Sequence, residues 1–182
     1  MSRLAERIVA IHQALDAGRV PHAFGGALAL AWCTQRARGT IDIDVNLFVG
    51  TDRLDAALAA LPPEVACTAA DRALLARDGQ ARLWWADTPV DLFFSTTPFH
   101  DEVATRARRE PFAGHDVPFL SCTDLAVFKA FFNRTKDWAD LEEMATAGTL
   151  DRARVVGVLA QYLGVTDERV ARVLALPGPA TG

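Results

Sequence analysis

The sequence predicts an α+β fold, a mixed α/β front followed by an all-helical back, with a soft boundary near residue 120. Three observations carry that prediction. Residues 41–49, IDIDVNLFV, alternate Ile41, Ile43, Val45 and Leu47 with Asp42, Asp44 and Asn46, the period of a half-buried strand. Two more strand-like runs, RLWWA and VDLFFS, flank Asp87-Thr88-Pro89 as a hairpin would. From Ser121 onward the apolar spacing is helical.

Taken in order, Leu4, Ile8, Ile11 and Leu15 recur at helical spacing, with Ser2 as N-cap and Gly18 as stop. His22-Ala23-Phe24 follows Pro21 as a short strand. Gly25-Gly26 then opens ALALAWC, which is apolar on all sides and reads as a fully buried helix. Asp52 to Ala60 forms a helix ended by Pro62-Pro63. Pro98 to Arg109 has a helical pattern, and Asp116 to Leu120 that of a short strand. Ser121 and Asp124 make an S-x-x-D capping signal ahead of helices over 122–132, 136–146, 151–163 and 167–176. The final PGPATG is a frayed end.

The chain has 182 residues, of which 51% are hydrophobic and 23% charged, enough apolar material for a core and against wholesale disorder. Lys and Arg number 19 and Asp and Glu 23, a net charge of -4. Phosphate contacts dominate non-specific DNA binding, so this balance excludes an obligate DNA-coating protein. It leaves room for a local basic patch, and Arg106, Arg108 and Arg109, read as one solvated helix face, are the first place to look for RNA. Cys33, Cys67 and Cys122 show no CxxC spacing and read as small buried hydrophobes without a disulfide framework, which fits a reducing cytosol. No run reaches the ~18 apolar residues of a membrane span. The amphipathic start lacks the apolar block and cleavage site of a signal peptide, so the expected location is cytoplasmic and no membrane partner is expected.

The chemistry concentrates in residues 24–49. Asp42 and Asp44 stand two apart on a predicted strand, so they share a face, with Cα atoms about 6.6 Å apart. Two carboxylates on one face repel each other, and a divalent cation resolves the conflict. Hard oxygen donors suit Mg²⁺ or Mn²⁺. Gly25-Gly26, between a strand and a helix start, lets phosphate oxygens approach the backbone, where N–H groups favour an anion. Asp91, flanked by Val90, Leu92, Phe93 and Phe94, is the candidate third carboxylate. It either completes the metal site or accepts a proton. The plainer reading pairs Asp91 with Arg82 on the facing hairpin strand. There is no GxGxxG, Walker A loop, GxSxG elbow or Cys/His signature.

Gly25-Gly26, the R-x-T of Arg38 and Thr40, and the Asp42-Ile43-Asp44 pair together resemble the nucleotidyltransferases of the DNA polymerase β superfamily, most closely the minimal AbiEii-type enzymes of toxin–antitoxin systems. Downstream, SCTDLAVFKAFFNRTKDWADL resembles that family's lysine helix and its R-x-KD-x-x-D block. The resemblance covers about residues 20–145. It implies a nucleotidyltransferase fold, a short mixed β-sheet flanked by helices with a C-terminal helical region. The implied division is a catalytic core over 1–120, a helical region over 121–176 packed on it, and a flexible tail over 177–182. It implies that Asp42, Asp44 and Asp91 bind metal, and that Gly25, Gly26, Arg38, Thr40 and Lys129 contact the NTP. Arg134, Lys136, Asp137 and Asp140 would close the site from the helical side. The implied activity moves an NMP from an NTP to a hydroxyl on an RNA or tRNA end, a protein or a small molecule. A cognate antitoxin is the implied protein partner. The alternative is a non-catalytic nucleotide-binding or partner-binding module of the same fold.

Overall fold

The structure is a computed structural model that describes residues 2–37 and 39–179. Two compact units make up the chain, one from Met1–Gly26 with Gly39–Leu120, the other from Ala27–Arg38 with Ser121–Gly182. Among the described residues no helix is long and apolar enough to cross a membrane.

The first unit holds a seven-stranded sheet among its described residues. Its strands are β1 (His22–Phe24), β2 (Ile43–Gly50), β3 (Val65–Ala66), β4 (Gln80–Trp85), β5 (Thr88–Ser95), β6 (Arg108–Phe112) and β7 (His115–Phe119), in the order β3-β4-β5-β2-β1-β7-β6. β2 runs parallel to β5 and β1 parallel to β7, and the remaining pairs are antiparallel, so the sheet is mixed. Period-two alternation sends Ile43, Val45 and Leu47 of β2 into the core with no exposure, as it does Val90 and Leu92 of β5. Each such side chain stabilises the fold by about 1.5–3 kcal/mol on burial.

Helix α1 (Arg3–Ala17) starts at Ser2, whose hydroxyl accepts from the Ala5 N–H, and stops at Gly18. Its Ile8, Ile11 and Leu15 are fully buried and it packs on β7. Arg7 pins the helix to the β4–β5 turn: Nη1 donates to Asp87 Oδ1 at 2.8 Å and to the Thr88 hydroxyl. Helix α2 (Gly26–Thr34) buries Ala29, Leu30, Cys33 and Thr34 and leaves its other residues half-buried, rather than being enclosed all round. A 3-10 turn over Thr51–Arg53 leads into α3 (Leu54–Ala59). Helix α4 (Ala69–Asp78) packs on β4, and α5 (Pro98–Arg106) on β2 and β5.

The second unit contains α2 beyond Gly26 together with α6 (Cys122–Phe132), α7 (Thr135–Thr146), α8 (Arg152–Leu163) and α9 (Glu168–Leu174). Ser121 caps α6 by accepting from the Asp124 N–H, as the S-x-x-D signal requires. Pro177–Pro179 of the predicted tail are described, and the rest of it lies outside the described residues.

Several expectations need correction. The helix predicted to Arg109 ends at Arg106, and Arg108 and Arg109 sit on β6, which turns into β7 through Ala113 and Gly114, both at positive φ. Arg106, Arg108 and Arg109 therefore share no helix face. Each meets a carboxylate, Glu102, Glu110 and Asp116 respectively. Strand β2 begins at Ile43 rather than 41, and Ile41 is 72% exposed. The hairpin turn lies at Ala86-Asp87, one residue earlier than expected, with Ala86 at φ 52°. Cys33 and Cys122 form a disulfide with Cα atoms 5.5 Å apart, and Cys67 is exposed. The two paired cysteines lie 89 residues apart, a separation that spacing motifs cannot reveal. The cysteine argument for a reducing compartment therefore falls away.

Candidate active site

The sheet register assembles the acidic residues in the first unit. On parallel neighbours β2 and β5, Asp44 pairs in register with Asp91. On antiparallel neighbours β4 and β5, Arg82 pairs with Asp91. Paired residues face the same side of a sheet, so Arg82, Asp91 and Asp44 form a row across three strands. Asp42 enters from the residue before β2. Its backbone N–H donates to the Thr40 hydroxyl at 3.2 Å, and that hydroxyl donates back to the Asp42 carbonyl at 3.3 Å. This local turn fixes the approach of Asp42, which gives Thr40 a positioning contact. Gly39, Thr40, Ile41 and Asp42 line an open groove. Arg38, the other half of the R-x-T, lies outside the described residues.

Arg82 ties the row together. Its Nε donates to Asp91 Oδ1 at 2.7 Å and its Nη2 to Asp91 Oδ2 at 2.7 Å, a two-pronged pair. The same Nη2 reaches Asp42 Oδ2 at 3.2 Å. The hydrogen bond to Asp91 holds the guanidinium further into its charged form, and the charges of Asp91, Asp42 and Asp44 add to the effect. The plainer reading of Asp91 as the partner of Arg82 thus describes a real contact, within the same cluster as the aspartate pair.

Gly25 and Gly26 are placed against these strands. The Gly25 N–H donates to the Asp44 carbonyl at 2.9 Å. A Cβ on Gly25 would stand 2.9 Å from Asn46 Nδ2 and 3.2 Å from Leu120 Cδ1. A Cβ on Gly26 would overlap the Asp44 carboxylate, lying 2.5 Å from its Cγ, and Gly26 also has φ +55°. Both glycines thus let the backbone close on Asp44 and Asn46. Asn46 is buried and faces the same side as Asp44, a contact that strand alternation signals only as a polar position.

Asp44 and Asp91 share one sheet face, Asp42 joins Asp91 through Arg82, and a glycine stands where a side chain would fill the space against Asp44; carboxylate oxygens are the donor type a hard divalent cation takes. As they stand, no three His, Cys, Asp or Glu side chains among the described residues are gathered closely enough to hold an ion. Arg82 holds oxygens of two of the three carboxylates.

In the second unit, Lys129 is buried on α6 and its Nζ donates to Asp140 Oδ2 of α7 at 2.6 Å, with Asp137 Oδ1 at 3.8 Å. Arg134 completes the group through Nε to Asp137 Oδ2 at 2.6 Å. Here Lys129 neutralises buried carboxylates, and losing one partner of such a pair costs about 3–5 kcal/mol. Lys136 is exposed on α7.

No protein-family model and no curated protein matches this sequence. The fold itself is that of nucleotidyltransferases. The crystal structure of ANT(2'')-Ia in complex with adenylyl-2''-tobramycin matches with a TM-score of 0.59 at 17% identity, over 88% of this chain and 97% of that one. The solution structure of the antibiotic-resistance factor ANT(2'')-Ia matches at 0.54 and 15% identity, over 87% of this chain and 90% of that one.

Proposed function

We propose that this chain is a metal-dependent nucleotidyltransferase that moves an NMP from an NTP to a hydroxyl acceptor. The observation that carries this reading is the register of Asp44 with Asp91 on adjacent parallel strands, beside Asp42 and under Gly26, within a nucleotidyltransferase fold.

In this reading Asp42, Asp44 and Asp91 hold Mg²⁺ or Mn²⁺. When bound, the ions neutralise the triphosphate and lower the pKa of the attacking hydroxyl. Gly25 and Gly26 present backbone without side chains to the phosphates. The acceptor oxygen bonds to the α-phosphorus as the bond to the bridging oxygen breaks. Pyrophosphate leaves with the electron pair, and Asp91 or water takes the hydroxyl proton. The work is positioning and charge neutralisation.

ANT(2'')-Ia has been captured with an adenylylated aminoglycoside, and we take a small polyhydroxylated acceptor as the first choice. An acidic face suits a cationic acceptor better than an RNA end, and Arg106, Arg108 and Arg109 each meet a carboxylate. An AbiEii-type toxin role with an antitoxin partner rests on the motif resemblance alone. It would show as label on tRNA.

The test is incubation with Mg²⁺ and α-labelled NTPs, offering tobramycin, total RNA and cell lysate as acceptors. Label transferred by the wild type and lost in Asp44→Asn supports the reading. NTP binding without transfer to any acceptor favours the non-catalytic module.

A further inference from the structure

The arginine of the acidic row does more than balance charge. Arg82 uses Nε and Nη2 to occupy both oxygens of Asp91, and Nη2 to reach Oδ2 of Asp42. These are the oxygens a divalent cation would take. A guanidinium and a metal ion compete for them, since both are positive and the fork already takes a lone-pair site on each oxygen. The Arg82 side chain is 48% exposed and that of Asp91 18%, so the arginine arm has solvent beside it while the carboxylate lies mostly within the sheet.

We infer that Arg82 is a latch on the acidic site, exchanging with the divalent cation for the oxygens of Asp91 and Asp42. The inference rests on the reading above of Asp42, Asp44 and Asp91 as metal ligands. While Arg82 is engaged, the cluster is partly neutralised and both oxygens of Asp91 and one of Asp42 are in contact with it, so a metal ion alone binds weakly. In this inference ion binding at Asp91 displaces the two-pronged pair. A triphosphate arriving with the ion offers the displaced guanidinium a new anionic partner. Metal and nucleotide therefore bind with positive coupling, and Arg82 carries part of it. By linkage, each strengthens the other by the same factor. Arg82 is then a positioning residue rather than a catalytic one.

The experiment titrates the intact protein with Mn²⁺, following free ion by electron paramagnetic resonance, with and without a non-hydrolysable α,β-methylene NTP. Four proteins are compared: wild type, Arg82→Gln, Arg82→Lys, and Arg82→Gln combined with Asp44→Asn. Without nucleotide, Arg82→Gln is expected to bind Mn²⁺ about tenfold more tightly than wild type, within the usual range of coupling between linked sites. Lysine keeps the charge but cannot fork across two carboxylates, so Arg82→Lys is also expected to bind more tightly than wild type, by several-fold. The analogue should strengthen Mn²⁺ binding less in both variants than in wild type.

Two results overturn the latch. One is unchanged or weaker Mn²⁺ binding by Arg82→Gln. The other is wild-type affinity in Arg82→Lys beside tight binding in Arg82→Gln, which assigns the effect to net charge alone. The Asp44→Asn combination separates this failure from that of the underlying reading. Mn²⁺ binding that survives the loss of Asp44 removes the metal assignment itself. Asp44-dependent binding of equal strength in all Arg82 variants removes only the latch.

Discussion

Gly26 shows how one missing side chain can decide a site. Its φ of +55° lies in the left-handed region, and an added Cβ would overlap the Asp44 carboxylate. Alanine there must strain the backbone, at about 1–3 kcal/mol, and turn Asp44 away from its register with Asp91. A displacement of about 1 Å in a catalytic group costs about 10²-fold in rate. Gly26→Ala is therefore expected to lose about that much transfer activity together with some thermal stability. Gly25→Ala has no positive φ, and its Cβ meets an amide nitrogen and a methyl rather than the carboxylate. It should retain clearly more activity. Equal activity in Gly26→Ala and wild type, measured as label transferred per minute, would remove Gly26 from the site.

The pairing of α1 with β1 carries a pH dependence. His22 Nδ1 lies 2.8 Å from the Val20 carbonyl, which can only accept, so that nitrogen carries the proton. His22 Nε2 then accepts from His12 Nδ1 at 2.9 Å. Both rings are neutral in this arrangement, and a proton on His22 Nε2 would face the His12 N–H. Burial pushes His22 down to about 4 and also lowers His12, and the Val20 carbonyl only partly opposes the effect on His22. The unfolded chain, with histidines near 6.5, binds more protons than the folded one between these values. Stability is therefore full above pH 6.5 and falls as pH drops toward 4, by about 3 kcal/mol for His22 alone. Urea unfolding from pH 7 to pH 4 should show this slope, and the His12→Gln/His22→Gln double variant should flatten it. Elements of this kind were legible in the sequence where alternation or capping is local: β2, β5, α1 and the four C-terminal helices follow from spacing. Helix α4 was not, although Thr68 and Asp71 form a reciprocal capping box and Gly79 closes it in the left-handed region. Its apolar positions lack a stripe, because only Leu75 is buried. Strand β6 was hidden because RREPF carries no alternation, and only the following Ala113-Gly114 turn marks it. The acidic residues were legible as residues. The Arg82–Asp91 pair across the hairpin was legible too; the reach of Arg82 on to Asp42 was not, because Asp42 lies two strands from Arg82 and sequence spacing does not report that distance.

For the whole molecule, the disulfide is the contact whose chain separation matters most. The chain leaves the second unit after residue 38 and returns at 121, and Cys33–Cys122 joins the two passages within that unit. The bridge closes a loop of 89 residues, which restricts the unfolded chain far more than a local bridge would. On the chain-entropy account the stabilisation is about 4–5 kcal/mol, an upper bound where the reduced state retains structure. That is a large share of the ~5–15 kcal/mol that separates folded from unfolded domains. Dithiothreitol, or the Cys33→Ser/Cys122→Ser variant, should therefore lower the urea midpoint by a large fraction. Both cysteines belong to the second unit, so amides of α6 to α9 should lose hydrogen-exchange protection before those of β2 and β5. The acidic row is built wholly from the first unit's strands, and nucleotide transfer, if it depends on that row alone, should persist in reductant at temperatures below the new transition. An unchanged midpoint on reduction would show that the bridge adds nothing to stability. Simultaneous loss of protection in the helices and the sheet would instead show that the two units unfold as one.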